Sequence, residues 1–148
     1  EQPVPKPMHG IVANILAFLL NVYLQKSPVG QLVIEVQYRV LGGDYSPIPD
    51  LSFISADQPA FALNEVIPFM PALAIEIQSP DQTDKEMLDK ANYYLQYGSR
   101  MVWILYPDRK LVEVLTPGTR RLLTQNETLD GGDLLPGFSE GVAKLFPN

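Results

Sequence analysis

The chain has 148 residues, 46% hydrophobic and 19% charged, and reads as one domain over residues 1–148 with enough apolar material for a core. Its net charge of −6 excludes a nonspecific nucleic-acid coat protein, which would be basic. The absence of cysteine excludes disulfide scaffolds, thiolate metal sites and thiol nucleophiles, and a single histidine excludes a His-rich metal cage, so any catalysis must come from carboxylates, lysines and His9.

Residues 1–8, EQPVPKPM, hold three prolines and read as an extended lead-in. From His9 onward Ile11, Ile15 and Leu19 recur every four residues, as do Val12, Leu16 and Leu20, which predicts an amphipathic helix ending before Pro28. Its apolar run, 11–24, is 14 residues long, below the ~18 of a membrane span, so no membrane partner is expected. No small-residue cleavage site follows it, and a cysteine-free chain fits a reducing cytoplasm.

Residues 31–40 alternate apolar and polar and predict a half-buried strand. Residues 50–55, DLSFIS, predict another, with Leu51 and Phe53 on one face and Asp50 and Ser52 on the other. A proline-rich loop, 56–71, separates it from the strand 72–79, ALAIEIQS. There Glu76 is a carboxylate in an otherwise apolar run, a local conflict that requires a reason. Thr83 and Glu86 form a capping box and open a helix striped by Met87, Leu88, Ala91, Tyr94 and Leu95, with Gly98 as its stop. MVWILY, 101–106, predicts a central strand buried on both faces. Two further strands, 111–116 and 120–124, fold back around a turn at Pro117-Gly118. Asp130–Phe138 reads as a loop, and Ser139 as the cap of a short final helix ending at Phe146. The helical crossover between 72–79 and 101–106 makes one βαβ unit, with a right-handed connection expected. The whole predicts an α/β domain with a mixed β-sheet and helices on its faces.

Asp50 opens one strand and Glu76 lies on the polar face of another. Two carboxylates meeting near strand ends suit a hard divalent cation such as Mg²⁺ or Mn²⁺. The plainer alternative is that Asp50 merely starts its strand and Glu76 makes an ordinary buried hydrogen bond.

Several stretches stand in a telling order: His9-Gly10 before the apolar helix; Pro49-Asp50-Leu51-Ser52-Phe53-Ile54; Leu73–Pro80 around Glu76-Ile77-Gln78-Ser79; Lys90, Tyr94 and Gly98; Val102-Trp103-Ile104 and Pro107; Val112–Val114; and Leu129–Phe138, LDGGDLLPGF. In that order and spacing they resemble the Uma-two family of restriction-endonuclease-like proteins, within the PD-(D/E)xK nuclease superfamily, from residue 8 to the end. The resemblance implies a restriction-endonuclease-like mixed sheet and a metal-dependent endonuclease that cuts DNA to 5′-phosphate and 3′-hydroxyl ends. It implies a Mg or Mn ion held by Asp50, Glu76 and the backbone carbonyl of Ile77. The superfamily lysine, two residues past the second acid, is here Gln78. In the Uma-two family the lysine sits on the following helix, which makes it Lys90; the alternative is a solvated charge paired with Glu86. His9 matches a histidine often seen before the first helix in this family, from where it could contact phosphate or the attacking water; the alternative is a hydrogen-bonding surface residue.

Lys85 matches the lysine role less well, and Glu35 is a further candidate acid. Arg109, Lys110, Arg120 and Arg121 flank one hairpin and form either a phosphate-binding edge or an ordinary solvated one. Cutting both strands calls for two sites, hence a homodimer. Family members carry an N-terminal module of a few dozen residues, for which the resemblance finds no counterpart ahead of Glu1. A reading from another class is a non-cleaving nucleic-acid or protein binding module on a nuclease-like scaffold, which Gln78 keeps open. A hydrolase of small phosphoesters or sugars has only the acid pair behind it.

Overall fold

A computed structural model describes Val4 and residues 6–148. A six-stranded mixed sheet runs in chain order, β1 (Gly30–Ile34), β2 (Leu51–Ser55), β3 (Leu73–Ile77), β4 (Met101–Tyr106), β5 (Leu111–Thr116) and β6 (Thr119–Leu123). Helix α1 (Pro7–Lys26) packs on one face and α2 (Asp84–Gln96) on the other. A hairpin of β7 (Thr128–Gly131) and β8 (Leu135–Gly141) and a 3₁₀ turn, Val142–Leu145, close the α1 side. Within this sheet β3 and β4 pair in parallel, joined by α2, and the other neighbouring strand pairs are antiparallel. This is the expected mixed α/β sheet with helices on both faces.

Period-two side-chain alternation builds two cores. Leu51, Phe53, Leu73, Ile75, Ile77, Trp103 and Leu105 meet Val12, Leu16 and Leu20 of α1. Ile54, Ala74, Val102 and Ile104 point the other way, onto Met87, Ala91 and Tyr94 of α2. Every residue of β2, β3 and β4 is buried, so the sheet's centre is covered on both faces. The α2 capping box forms as its sequence predicts: Thr83 Oγ1 accepts from Glu86 N–H at 3.1 Å, and Glu86 Oε1 accepts from Thr83 N–H at 3.2 Å. Past the helix, Gly98 adopts φ +126°, which turns the chain into β4.

Four expectations fail locally. Residues 1–3 and 5 of the lead-in lie outside the described residues, but Pro7 opens α1 at its first turn, where a fixed φ and a missing N–H do no harm. As a result α1 has 20 residues and, by length and composition alone, is long and apolar enough to cross a membrane. Val12, Leu16 and Leu20 on its inner face are buried at 0–1% exposure in the sheet core. The strand at 31–40 stops at Ile34, because Glu35 takes φ +52° and reverses the alternation; Tyr38 is then buried against Ser52 at 2.5 Å. The segment 130–138 is largely strand, since Leu129, Leu135 and Phe138 alternate into the α1 core. Ser139 lies in β8, so the final helix shrinks to one 3₁₀ turn.

Candidate active site

Antiparallel pairing brings the start of β2 beside the end of β3. Leu51 stands opposite Ile75, so Asp50, one residue earlier, reaches the last residues of β3. Its Oδ2 accepts the Ile77 N–H at 2.7 Å. The other oxygen, Oδ1, lies 3.1 Å from His9 Nε2, carried in by the first turn of α1. That bond is the main cause of a His9 pKa raised above its ordinary value, despite opposing burial.

Glu76 is 3% exposed and faces α2. Tyr94 Oη donates to its Oε2 at 2.5 Å, and Lys90 Nζ stands 3.7 Å from Oε1. The i,i+4 spacing of Lys90 and Tyr94 sets both groups over one carboxylate. Burial, followed by the charge of Asp50, pushes the Glu76 carboxyl up to about 7; Lys90 and the Tyr94 bond only moderate this. This answers the conflict of an acid in an apolar strand: Glu76 is a buried carboxyl beside a second carboxyl, a common arrangement at functional sites.

All four candidate side chains therefore converge: Asp50, Glu76, Lys90 and His9. Lys90 faces Glu76 rather than Glu86, which is taken up by Thr83. Gln78, the residue two past Glu76, is not a free amide. Its Nε2 donates to Asp84 Oδ1 at 2.8 Å and to the Gln82 carbonyl at 3.1 Å, and Asp84 in turn holds Arg109 through two bonds of 2.7 and 3.0 Å. Lys85 is 84% exposed and paired with Asp89, away from the acids. Glu35 is exposed; its N–H reaches the Asp50 carbonyl at 3.3 Å, which puts its backbone at the rim.

In the basic hairpin, three of the four bases lie against acids. Arg109 is tied to Asp84, Arg120 to Glu113, and Arg121 lies 3.7 Å from Asp130. Glu113 is a second buried carboxylate that sequence reasoning missed. It sits on β5, accepts from Tyr106 Oη at 2.9 Å and meets Arg120, so it is fully partnered. Alternation within LVEVLT could have marked it, since Glu113 interrupts an apolar strand as Glu76 does. Tyr94 enters the sequence reading through the apolar stripe and the family resemblance, with no role assigned; its hydroxyl makes a 2.5 Å hydrogen bond to Glu76.

Among the described residues, no group of three or more His, Asp or Glu side chains forms a ready-made metal cage. The donor chemistry nevertheless fits a hard cation. Two carboxylates lie side by side, and Lys90 does not offset the burden they place on Glu76.

The fold has close company among solved structures. A crystal structure from Anabaena variabilis, described as a putative nuclease belonging to DUF820, superposes with a TM-score of 0.88 at 20% identity, covering 99% of this chain and 84% of that one. At that identity the likeness speaks for the fold alone. Among functionally curated proteins none matches the chain. The family described as "Putative restriction endonuclease", Uma2, matches residues 1–144. With all but the last four residues inside that match, the chain belongs to the Uma2 family.

Proposed function

We propose that the protein is a metal-dependent endonuclease that hydrolyses DNA phosphodiester bonds, with its site at the adjoining ends of β2 and β3. The observation that carries the reading is the buried Glu76 carboxyl, held against Asp50 and faced by Lys90 and Tyr94. A structural acid would be neutralised by one good partner, as Glu113 is by Arg120. Glu76 instead keeps a second acid beside it.

Asp50, Glu76 and the Ile77 carbonyl would hold a Mg²⁺ or Mn²⁺ ion. When bound, the ion polarises the phosphoryl group and lowers the pKa of water. The remaining work falls to the chain. Tyr94 fixes the Glu76 carboxylate in one rotamer, and the Ile77 N–H does the same for Asp50. Lys90 Nζ orients the attacking water or stabilises the charge that develops on phosphate. His9, held by Asp50 and kept protonated to higher pH, donates to a phosphate oxygen at the mouth of the site.

The alternative, a binding module that does not cut, is favoured by one observation: the amide of Gln78 is committed to Asp84 and Gln82. Plasmid and single-stranded DNA incubated with Mg²⁺ or Mn²⁺ distinguish the two. Metal-dependent nicking that disappears in Glu76→Ala is the expected result. DNA binding with no cleavage under either metal would refute the enzyme and leave the binding module.

A further inference from the structure

The connection from β1 to β2 carries Tyr45, five residues before Asp50, and α2 grips it firmly. Tyr93 Oη accepts the Tyr45 N–H at 3.2 Å and donates to the Tyr45 carbonyl at 2.8 Å. Tyr97 Oη donates to the Gly42 carbonyl at 3.2 Å. Position 43 has to be glycine, because the Tyr93 hydroxyl fills the space a Cβ would need. The three rings form a continuous shelf: Tyr45 lies 4.4 Å from Tyr93, centroid to centroid, and Tyr93 lies 4.7 Å from Tyr97.

This shelf begins at the site. Tyr93 is three residues past Lys90 and next to Tyr94, so it stands one helical turn, about 5 Å, along α2 from the lysine that faces Glu76. Burial and the charge of Glu76 raise the Tyr45 phenol to about 12, so it stays neutral. Yet Tyr45 is 43% exposed. Arg39 Nε donates to Ser46 Oγ at 2.8 Å and sets a guanidinium beside the next residue. A partly exposed ring packed against Tyr93, on a loop pinned through its backbone and with Arg39 held at the neighbouring residue, has the make-up of a single-strand binding platform, on which the ring takes a base. Its order is built in before binding, so little entropy is lost when a base stacks.

We propose that Tyr45 is a stacking platform for one unpaired nucleobase near the scissile phosphate, so that the site selects nucleic acid that is single-stranded at that position. The inference rests on the nuclease reading of the neighbouring acids. Because the Tyr93 clamp uses only backbone atoms of Tyr45, replacing its side chain leaves the loop anchored.

The test is a binding cycle read by fluorescence anisotropy, with Ca²⁺ in place of Mg²⁺ and short labelled oligonucleotides in which one abasic site is moved along the strand. Wild type is expected to lose about 5- to 150-fold in affinity when the abasic site occupies one particular position. Tyr45→Ala should show the same loss on the intact strand and no further loss on that abasic strand, while Tyr45→Phe matches wild type. Additive losses in Tyr45→Ala, a Tyr45→Phe variant as weak as Tyr45→Ala, or equal affinity for the matching blunt duplex would each overturn the stacking role. A wild-type protein that binds none of the strands removes the nuclease reading as well.

Discussion

Glu76→Gln should make the metal-free protein more stable above neutral pH while abolishing cleavage. Burial and Asp50 raise the Glu76 carboxyl from its ordinary 4.5 to about 7. Between those values the folded chain holds a proton that the unfolded chain has released, so stability falls as pH rises through the window. The rise is on the order of 3 kcal/mol, all of it lost above the upper value. Glutamine keeps the shape and an acceptor for Tyr94, and its amide can donate to Asp50. The attraction to Lys90 is already contained in the raised value, so the net gain is on the order of 3 kcal/mol. For a chain of this size that is a melting temperature higher by about 6–12 °C near pH 8, and by almost nothing near pH 4.5.

The raised pKa of His9 gives wild type a slope of the same sign. Its stabilisation is present below pH 6.5 and fades as pH climbs through its folded value. Asp50 is the main cause of that component and both proteins keep it, so the difference between them reports Glu76 together with its smaller pull on His9. Thermal melts followed by circular dichroism, in EDTA across the window, measure it. Adding Mg²⁺ should then raise the melting temperature of wild type and leave Glu76→Gln unmoved. A Glu76→Gln protein no more stable than wild type near pH 8 would refute the idea that this acid is held at a cost.

Two further outcomes are expected. Lys90→Met should slow nicking by about 10²–10⁴-fold with the fold retained, whereas Lys85→Met, removing an amine paired with Asp89, should leave the rate unchanged; equal effects in a plasmid assay would deny Lys90 its role. Among the described residues Trp103 Nε1 is buried without a hydrogen-bond acceptor, so Trp103→Phe deletes an unsatisfied donor worth about 1–3 kcal/mol and offsets the lost packing. Urea unfolding should show a loss below about 1 kcal/mol, against about 3–5 for truncation to alanine, and a Phe variant as weak as that would point to an unseen partner for the indole.

The legible parts of the sequence were those where a local rule and the tertiary structure agree. The capping box fixed the start of α2, the apolar run 101–106 gave the central strand, and the PD and EIQS stretches located Asp50 and Glu76 on neighbouring strand ends. Failures occurred where one backbone angle overrides a pattern. Nothing in the alternation of 31–40 reveals that Glu35 adopts φ +52°, so the strand was read too long. The run DGGDLLPGF carries turn residues throughout, and its strand character comes only from Leu129, Leu135 and Phe138 finding the α1 core. Charge pairing was similarly invisible. Arg109 and Arg120 look like free cations until folding brings Asp84 and Glu113 to them.

Gln78 and Lys90 are linked through the way α2 is anchored. The residue two past Glu76 starts the connection to α2, and here its amide ties that connection down through Asp84, which Arg109 holds from the β4–β5 turn. These bonds and the capping box set the height of α2 against β3. A helix repeats every 3.6 residues, so with its start fixed, positions 90 and 94 are the ones that present their side chains to Glu76. A lysine at 78 would compete with Arg109 for Asp84 and loosen that anchor. The glutamine thus helps hold the helix that carries Lys90, and the placing of its amine over Glu76 depends on that same set of hydrogen bonds.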